Sequence, residues 1–263
     1  LFIGPGIWHV DASCEEAPRG GCLSPPLTKN FITDLDLLRA VSILPVMVHH
    51  ANYNLFEWTT PGIVRFYQYF GGGFGVDLFF AISGFIIAKD LVPRLQACNS
   101  NAQWLGESLY FWIKRAFRIL PSAWFWLALI LLLSVVFNST GAFGTFRANF
   151  EATIAGVLQV ANFRFAAALG HFHYGASFVY WSLSLEEQFY ILFPFVIWFA
   201  RRYLVHFLVA AIVFQLVQER SVLALVLRTD ALMMGILIAI WSTRNSYRMV
   251  EPVFLRRWAW AGF

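Results

Sequence analysis

An arginine and a histidine occur at helical spacing within one apolar stretch, residues 36–53. Arg39 lies near its start, and His50, preceded by His49, lies near its end. Their offset is close to three helical turns and a rise of about 16 Å, so both side chains are expected on one face, with His49 roughly a quarter turn away. Pro45 makes this alignment approximate because it is expected to kink the helix. Ionisable side chains within a membrane helix are costly and usually functional. The spacing therefore predicts a polar line into the bilayer, and the alternative is a helix end with two histidines at the headgroups.

Carboxylates also interrupt the later apolar runs of the sequence. Asp77 lies inside one run, Glu186 and Glu187 are adjacent in another, and Arg228 and Asp230 stand close together in a third. A carboxylate at this depth needs a partner, because an isolated buried charge costs several kcal/mol or takes up a proton. We therefore predict an ion pair between Asp77 and an arginine on another helix, with Arg39 and Arg228 as the candidate partners. Glu186 and Glu187 are either site residues or charges at a helix N-terminus.

Three cations form a basic cluster among aromatic residues in the stretch 108–121, namely Lys114, Arg115 and Arg118. Such a cluster can bind phosphate groups. It can equally anchor a membrane helix at the cytoplasmic surface. The sequence contains no Cys or His spacing that is typical of a metal site.

The composition is that of an integral membrane protein. Of 263 residues, 59% are hydrophobic and 13% are charged, compared with about 25% charged in soluble domains, and the mean hydropathy is +0.62. Long apolar runs recur along the whole chain, which favours a polytopic helical protein. In this context the net charge of +4 reflects membrane topology rather than nucleic-acid binding.

The apolar runs predict an all-α bundle of about seven spans, followed by an incomplete last helix at 253–263. Residues 1–30 are expected to form a polar leader, and the distribution of cations places the N-terminus in the cytoplasm. Ser184 is expected to cap a helix whose first turn holds Glu186 and Glu187. The predicted spans are 36–53, 71–92, 119–137, 152–163, 181–202, 203–218 and 222–241.

Four motifs in register resemble the acyltransferase family 3 membrane proteins, which transfer acyl groups to carbohydrate hydroxyls. A fifth, weaker match is LRTDALMMG, and the resemblance covers residues 34–241. The chain has fewer predicted spans than a complete member. The domain is therefore expected over 31–263 and C-terminally incomplete. The four motifs are LRAVSILPVMVHH with its Arg-x10-His pattern, GVDLFFAISGFII, FWIKRAFRILP and WSLSLEEQFYILFP.

The resemblance implies a membrane O-acyltransferase of the bacterial inner membrane, with acetyl-CoA as donor and a glycan or lipid-linked saccharide as acceptor. His50 is then the candidate general base, because the pKa of histidine lies near working pH. The carboxylates of Asp77, Glu186 and Glu187 are candidates to orient it. Arg39 is a candidate to stabilise charge on the thioester oxygen, and the basic cluster is expected to bind the coenzyme A phosphates.

Two other functions fit a helix bundle with buried charges. A transporter or flippase moves substrates through such bundles, although no internal repeat is found in the sequence. A non-catalytic component of a polysaccharide-export assembly is the third reading.

Overall fold

The computed structural model describes residues 33–54, 60–70, 72–219 and 221–250, and all the secondary structure in these ranges is helical. The predicted leader and the predicted incomplete helix at 253–263 lie outside the described residues. The helices are α1 Thr33–Asn54, α2 Pro61–Phe70, α3 Gly72–Ala97, α4 Asn101–Val136, α5 Phe146–Val157, α6 Ala161–Ala168, α7 Tyr180–Ala200, α8 Leu204–Val217, α9 Val222–Leu227, α10 Asp230–Trp241 and α11 Asn245–Val250, with a 3-10 turn at Arg201–Tyr203 between α7 and α8.

Three helical stretches in the described part of the chain are long and apolar enough to cross a membrane. They are Asn101–Val136, Tyr180–Val217 and Val222–Trp241. A shorter apolar segment, Leu37–Ala51, covers most of α1. The all-α class is confirmed for these residues, and the count of seven spans is not.

Two local predictions were wrong, and backbone geometry explains both. The predicted span at 152–163 is divided because α5 ends at Val157 and the chain turns through Gln159, which has φ +56°. The resulting helices have 12 and 8 residues, well below the roughly 20 that a span needs. Ser184 is not an N-cap of α7, which begins at Tyr180. Its hydroxyl accepts a hydrogen bond from the N–H of Ala161 at 3.3 Å instead.

Helix α3 packs most extensively against α10 and α1. Glycines permit these close approaches. Gly75 faces the backbone of Ser42 on α1, while Gly84 and Gly235 lie against the backbone of α10 and α3 respectively. A Cβ at Gly235 would come within 2.7 Å of the carbonyl carbon of Ala81. Small residues at such crossings let membrane helices pack closely.

A break between α9 and α10 divides the last apolar stretch at Arg228 and Thr229. Two backbone groups at this break form hydrogen bonds with side chains from other helices. Gln215 of α8 accepts from the N–H of Thr229 at 2.9 Å and donates to its hydroxyl at 3.1 Å. The amide of Asn162 donates to the carbonyl of Val226 at 3.5 Å. The break is therefore held by α6 and α8.

Candidate functional site

A buried polar cluster lies where α3 meets α7. Glu186 is 5% exposed, and its carboxylate accepts a hydrogen bond from the hydroxyl of Tyr190, one helical turn later. The hydroxyl of Ser83, which is 2% exposed, interacts with the same pair. The two glutamates lie in the second turn of α7, inside the bundle, so they are not charges at a helix N-terminus.

Two arginines from other helices act on this cluster. The guanidinium of Arg115 on α4 lies over the ring of Tyr190, with its Cζ 5.0 Å from the ring centroid. Arg115 and Arg39 both stabilise the negative charge of Glu186 electrostatically. The structure therefore brings together residues from α1, α3, α4 and α7 around one buried carboxylate, and this inner cluster consists of Arg39, Ser83, Arg115, Glu186 and Tyr190.

Glu187 lies beside the inner cluster and is 8% exposed. It interacts electrostatically with both Glu186 and Arg115. No hydrogen-bond donor in the described residues meets its buried Oε1. Because buried carboxylate oxygens are normally hydrogen-bonded, this atom is available to accept a hydrogen bond from a bound molecule.

The basic cluster is divided between two environments. Arg115 turns into the bundle, whereas Lys114 and Arg118 are exposed. The ammonium of Lys114 lies 5.5 Å from the centroid of the Tyr110 ring. Consecutive helix positions point about 100° apart, so Lys114 and Arg115 cannot share one face.

Asp77 forms the ion pair that the sequence predicts, with Arg228 as its partner. The Nη2 of Arg228 lies 2.7 Å from Asp77 Oδ2, and its Nε lies 3.0 Å from Asp230 Oδ1. One cation thus bridges two carboxylates and connects α3 to the break before α10.

The two histidines of α1 face different neighbours. The ring of His50 packs edge-on against Phe178, with centroids 5.0 Å apart, and against His49 at 5.4 Å. His49 itself lies against Gly72 at the start of α3. His50 therefore faces the loop that leads into α7, and Arg39, on the same helix, acts on α7 itself. This agrees with the common face predicted from their spacing.

The loop at 169–179, which carries Phe178, is held by buried polar contacts. Asn149 accepts a hydrogen bond from the N–H of Ala176 at 2.9 Å. Arg164 donates to the carbonyl of Tyr174 at 3.4 Å. Burial raises the pKa of Tyr174 to about 12, so its hydroxyl stays protonated and donates to the carbonyl of Ala161. These contacts fix the position from which Phe178 reaches His50.

Sequence reasoning missed Tyr190 as a site residue, although a signal for it exists. Tyr190 follows Glu186 by four residues, and residues at this spacing share a helix face. Ser83 gives no comparable signal, because only the three-dimensional structure brings its hydroxyl to Glu186. Among the described residues, no three His, Cys, Asp or Glu side chains are grouped as metal ligands.

Comparison with known proteins identifies the family. The model of the family described as "Acyltransferase domain" (Acyl_transf_3) matches residues 32–261. "Putative O-acetyltransferase SACOL0978" of Staphylococcus aureus strain COL is 32% identical over 174 residues, which cover 64% of this chain and 25% of the relative. "O-acetyltransferase OatA" of S. aureus strain NCTC 8325 is 29% identical over 175 residues, with the same coverage. The match thus spans about a quarter of the length of these curated relatives. No solved structure matches the chain.

Proposed function

The chain belongs to the acyltransferase 3 family, and from this premise we propose that it is an O-acetyltransferase of the bacterial inner membrane. The acetyl donor is acetyl-CoA, and the acceptor is a hydroxyl of a cell-surface glycan or glycolipid. The family makes the protein an acyltransferase, and the apolar helices fit a membrane location. The acetyl group is inferred from the names of the relatives. The N-terminus faces the cytoplasm, where acetyl-CoA is available.

In the proposed reaction His50 is the general base. It takes the proton of the acceptor hydroxyl as the oxygen attacks the thioester carbonyl. The carbon–sulfur bond then breaks, the departing thiolate of coenzyme A takes the proton from His50, and the acetyl ester remains on the acceptor. Asp77, Glu186 and Glu187 are the carboxylates assigned to orienting and charge-balancing roles. The unpartnered oxygen of Glu187 supports a direct contact with a substrate hydroxyl.

The cations have two roles in this proposal. Lys114 and Arg118 are exposed at one side of α4, where they bind the phosphates of coenzyme A by charge-assisted hydrogen bonds. Arg115 and Arg39 belong to the inner cluster, where they stabilise the negative charge that develops on the thioester oxygen. The basic cluster thus leads from the surface of α4 to the inner cluster.

One observation carries the proposal, namely the inner cluster itself. A bundle in a membrane does not need two arginines and a buried glutamate for stability, because buried ion pairs often contribute less than apolar side chains of the same size. Their concentration at one crossing, on the motifs shared with the family, favours a reaction site. His50 extends this site along α1 toward the 169–179 loop.

The test compares two adjacent histidines. The intact protein is reconstituted in lipid vesicles with radiolabelled acetyl-CoA and an extract of lipid-linked saccharides, and acetyl transfer is measured for His50→Ala and His49→Ala. Loss of a general base typically lowers the rate by about 10² to 10⁴. We expect this loss for His50→Ala only, because His49 packs against Gly72 rather than the 169–179 loop.

Membrane insertion levels of both variants serve as the control. If His49→Ala proves to be the inactive variant, the assignment of the base is wrong. If both variants lose activity equally and mildly, neither histidine performs the chemistry. Translocation of a saccharide without acetylation would instead support the transporter reading.

A further inference from the structure

We propose that Trp112 is a positioning residue that aligns the inner cluster by completing a hydrogen bond that Pro194 leaves unmade. This inference rests on the proposed function. Pro194 lies inside α7. In a regular helix the N–H of residue 194 would donate to the carbonyl of residue 190, but proline has no N–H. The carbonyl of Tyr190 therefore needs a donor from outside its own helix.

Trp112 of α4 supplies that donor. Its indole N–H donates to the carbonyl of Tyr190 at 3.1 Å. Tyr190 is 1% exposed, so water cannot replace the tryptophan, and a buried carbonyl without a partner is unfavourable. The hydrogen bond thus fixes the separation and rotation of α4 and α7 at this residue.

The contact point coincides with the inner cluster on both helices. On α7, Tyr190 donates to Glu186 through its side chain. On α4, Arg115 follows Trp112 by three residues, so the two share a helix face, and its guanidinium lies over the Tyr190 ring. A rotation of α7 at Tyr190 would therefore move Glu186 and the ring under Arg115 together.

A second tryptophan on α4 provides a matched comparison. The indole of Trp104 donates to the carbonyl of Pro194, also at 3.1 Å. The Pro194 carbonyl has its usual helical donor, because the backbone N–H of Trp198 lies four residues later in α7. Both indoles also pack against Phe195, with centroids 5.0 Å away for Trp104 and 5.7 Å for Trp112. The two tryptophans pack similarly, but only the carbonyl bound by Trp112 lacks a donor within its own helix.

The experiment uses the intact protein with four variants, namely Trp112→Phe, Trp104→Phe, Pro194→Ala and the double variant Trp112→Phe/Pro194→Ala. Phenylalanine keeps an aromatic ring and removes the N–H. We expect Trp112→Phe to lower the kcat of acetyl transfer about 10-fold or more, since small misplacements of reacting groups have large effects. The KM for acetyl-CoA should change little, because the phosphate-binding cations are not moved.

Trp104→Phe should retain most of the activity. Pro194→Ala should reduce the effect of Trp112→Phe, because the alanine N–H can donate to the Tyr190 carbonyl. The effects of Trp112→Phe and Pro194→Ala on the apparent unfolding temperature in detergent should likewise be non-additive. Equal loss of kcat in the two tryptophan variants would overturn the proposal.

The unfolding temperatures distinguish failure of this inference from failure of the proposed function. A wild-type protein that transfers no acetyl group overturns the function. In that case the coupling between Trp112 and Pro194 in unfolding temperature still decides whether the hydrogen bond compensates for the proline. Additive temperature shifts in the double variant would overturn the inference whatever the transfer assay gives.

Discussion

Removing Asp77 should destabilise the protein less than removing Arg228, although the two form one ion pair. Arg228 bridges Asp77 at 2.7 Å and Asp230 at 3.0 Å. In Asp77→Asn the arginine keeps its second carboxylate. In Arg228→Gln two carboxylates are left close to each other without the cation between them. The order of the two effects therefore follows from the geometry of the bridge.

The partial exposure of the three side chains sets the size of the expected losses of stability. The side chains of Arg228, Asp77 and Asp230 are 33%, 40% and 17% exposed. Exposed ion pairs contribute about 0.2–1 kcal/mol and breaking a buried pair costs about 3–5 kcal/mol. An intermediate environment gives about 1–2 kcal/mol for Asp77→Asn and about 3 kcal/mol for Arg228→Gln. For a chain of this length the shift in Tm is about 2–4 °C per kcal/mol.

The assay is thermal unfolding in detergent, with Arg147→Gln as the control. Arg147 also pairs with a carboxylate, that of Glu151 at 2.9 Å, but its side chain is 88% exposed, so no measurable shift is expected. The double variant Asp77→Asn/Arg228→Gln should be no less stable than Arg228→Gln alone, because it leaves one carboxylate fewer. A larger shift for Asp77→Asn than for Arg228→Gln would refute the bridging argument.

Two further predictions concern the donor and the packing of the helices. Replacing Lys114 and Arg118 together by Gln should raise the KM for acetyl-CoA more than it lowers kcat, because both cations are exposed and proposed to bind its phosphates. An unchanged KM would indicate that the two cations only anchor the helix at the membrane surface. Gly235→Ala should destabilise the protein by about 1–3 kcal/mol or more, since a Cβ there would overlap backbone atoms of Ala81. The control is Gly73→Ala, where a Cβ meets no atom within 4 Å. Equal unfolding temperatures for the two variants would contradict the packing described for α3 and α10.

The sequence could predict the residues on α1 better than those contributed by other helices. The spacing of Arg39 and His50 is a property of one helix, and regular helix geometry suffices to place both on one face. Glu186 was found as an ionisable residue in an apolar run, but its environment was mistaken because α7 begins at Tyr180. The start of α7 follows the loop at 169–179, and no side chain caps that start.

Contacts between helices were predictable only where charge requires them. Asp77 needed a cation, and few arginines lie within apolar runs, so the candidate partners could be limited to Arg39 and Arg228, and the structure shows that the partner is Arg228. Trp112 gave no such signal, because its indole N–H meets a backbone carbonyl, and any donor of suitable length could do so. The count of seven spans is not confirmed, and one predicted span is divided for a related reason. Hydropathy does not show that the backbone turns at Gln159 and divides an apolar run into two short helices.

The break between α9 and α10 has a consequence for the order in which the protein is assembled during synthesis. Open backbone groups are unfavourable in lipid, and those at the break are met by Asn162 and Gln215, which precede it in the chain. The adjoining charge of Arg228 is met by Asp77, which is also synthesised earlier, as well as by Asp230 two residues later. Residues 222–241 can therefore adopt their broken form only after α3, α6 and α8 are in place. Until then a continuous helix, whose backbone groups are hydrogen-bonded internally, is the more stable form of this segment in lipid.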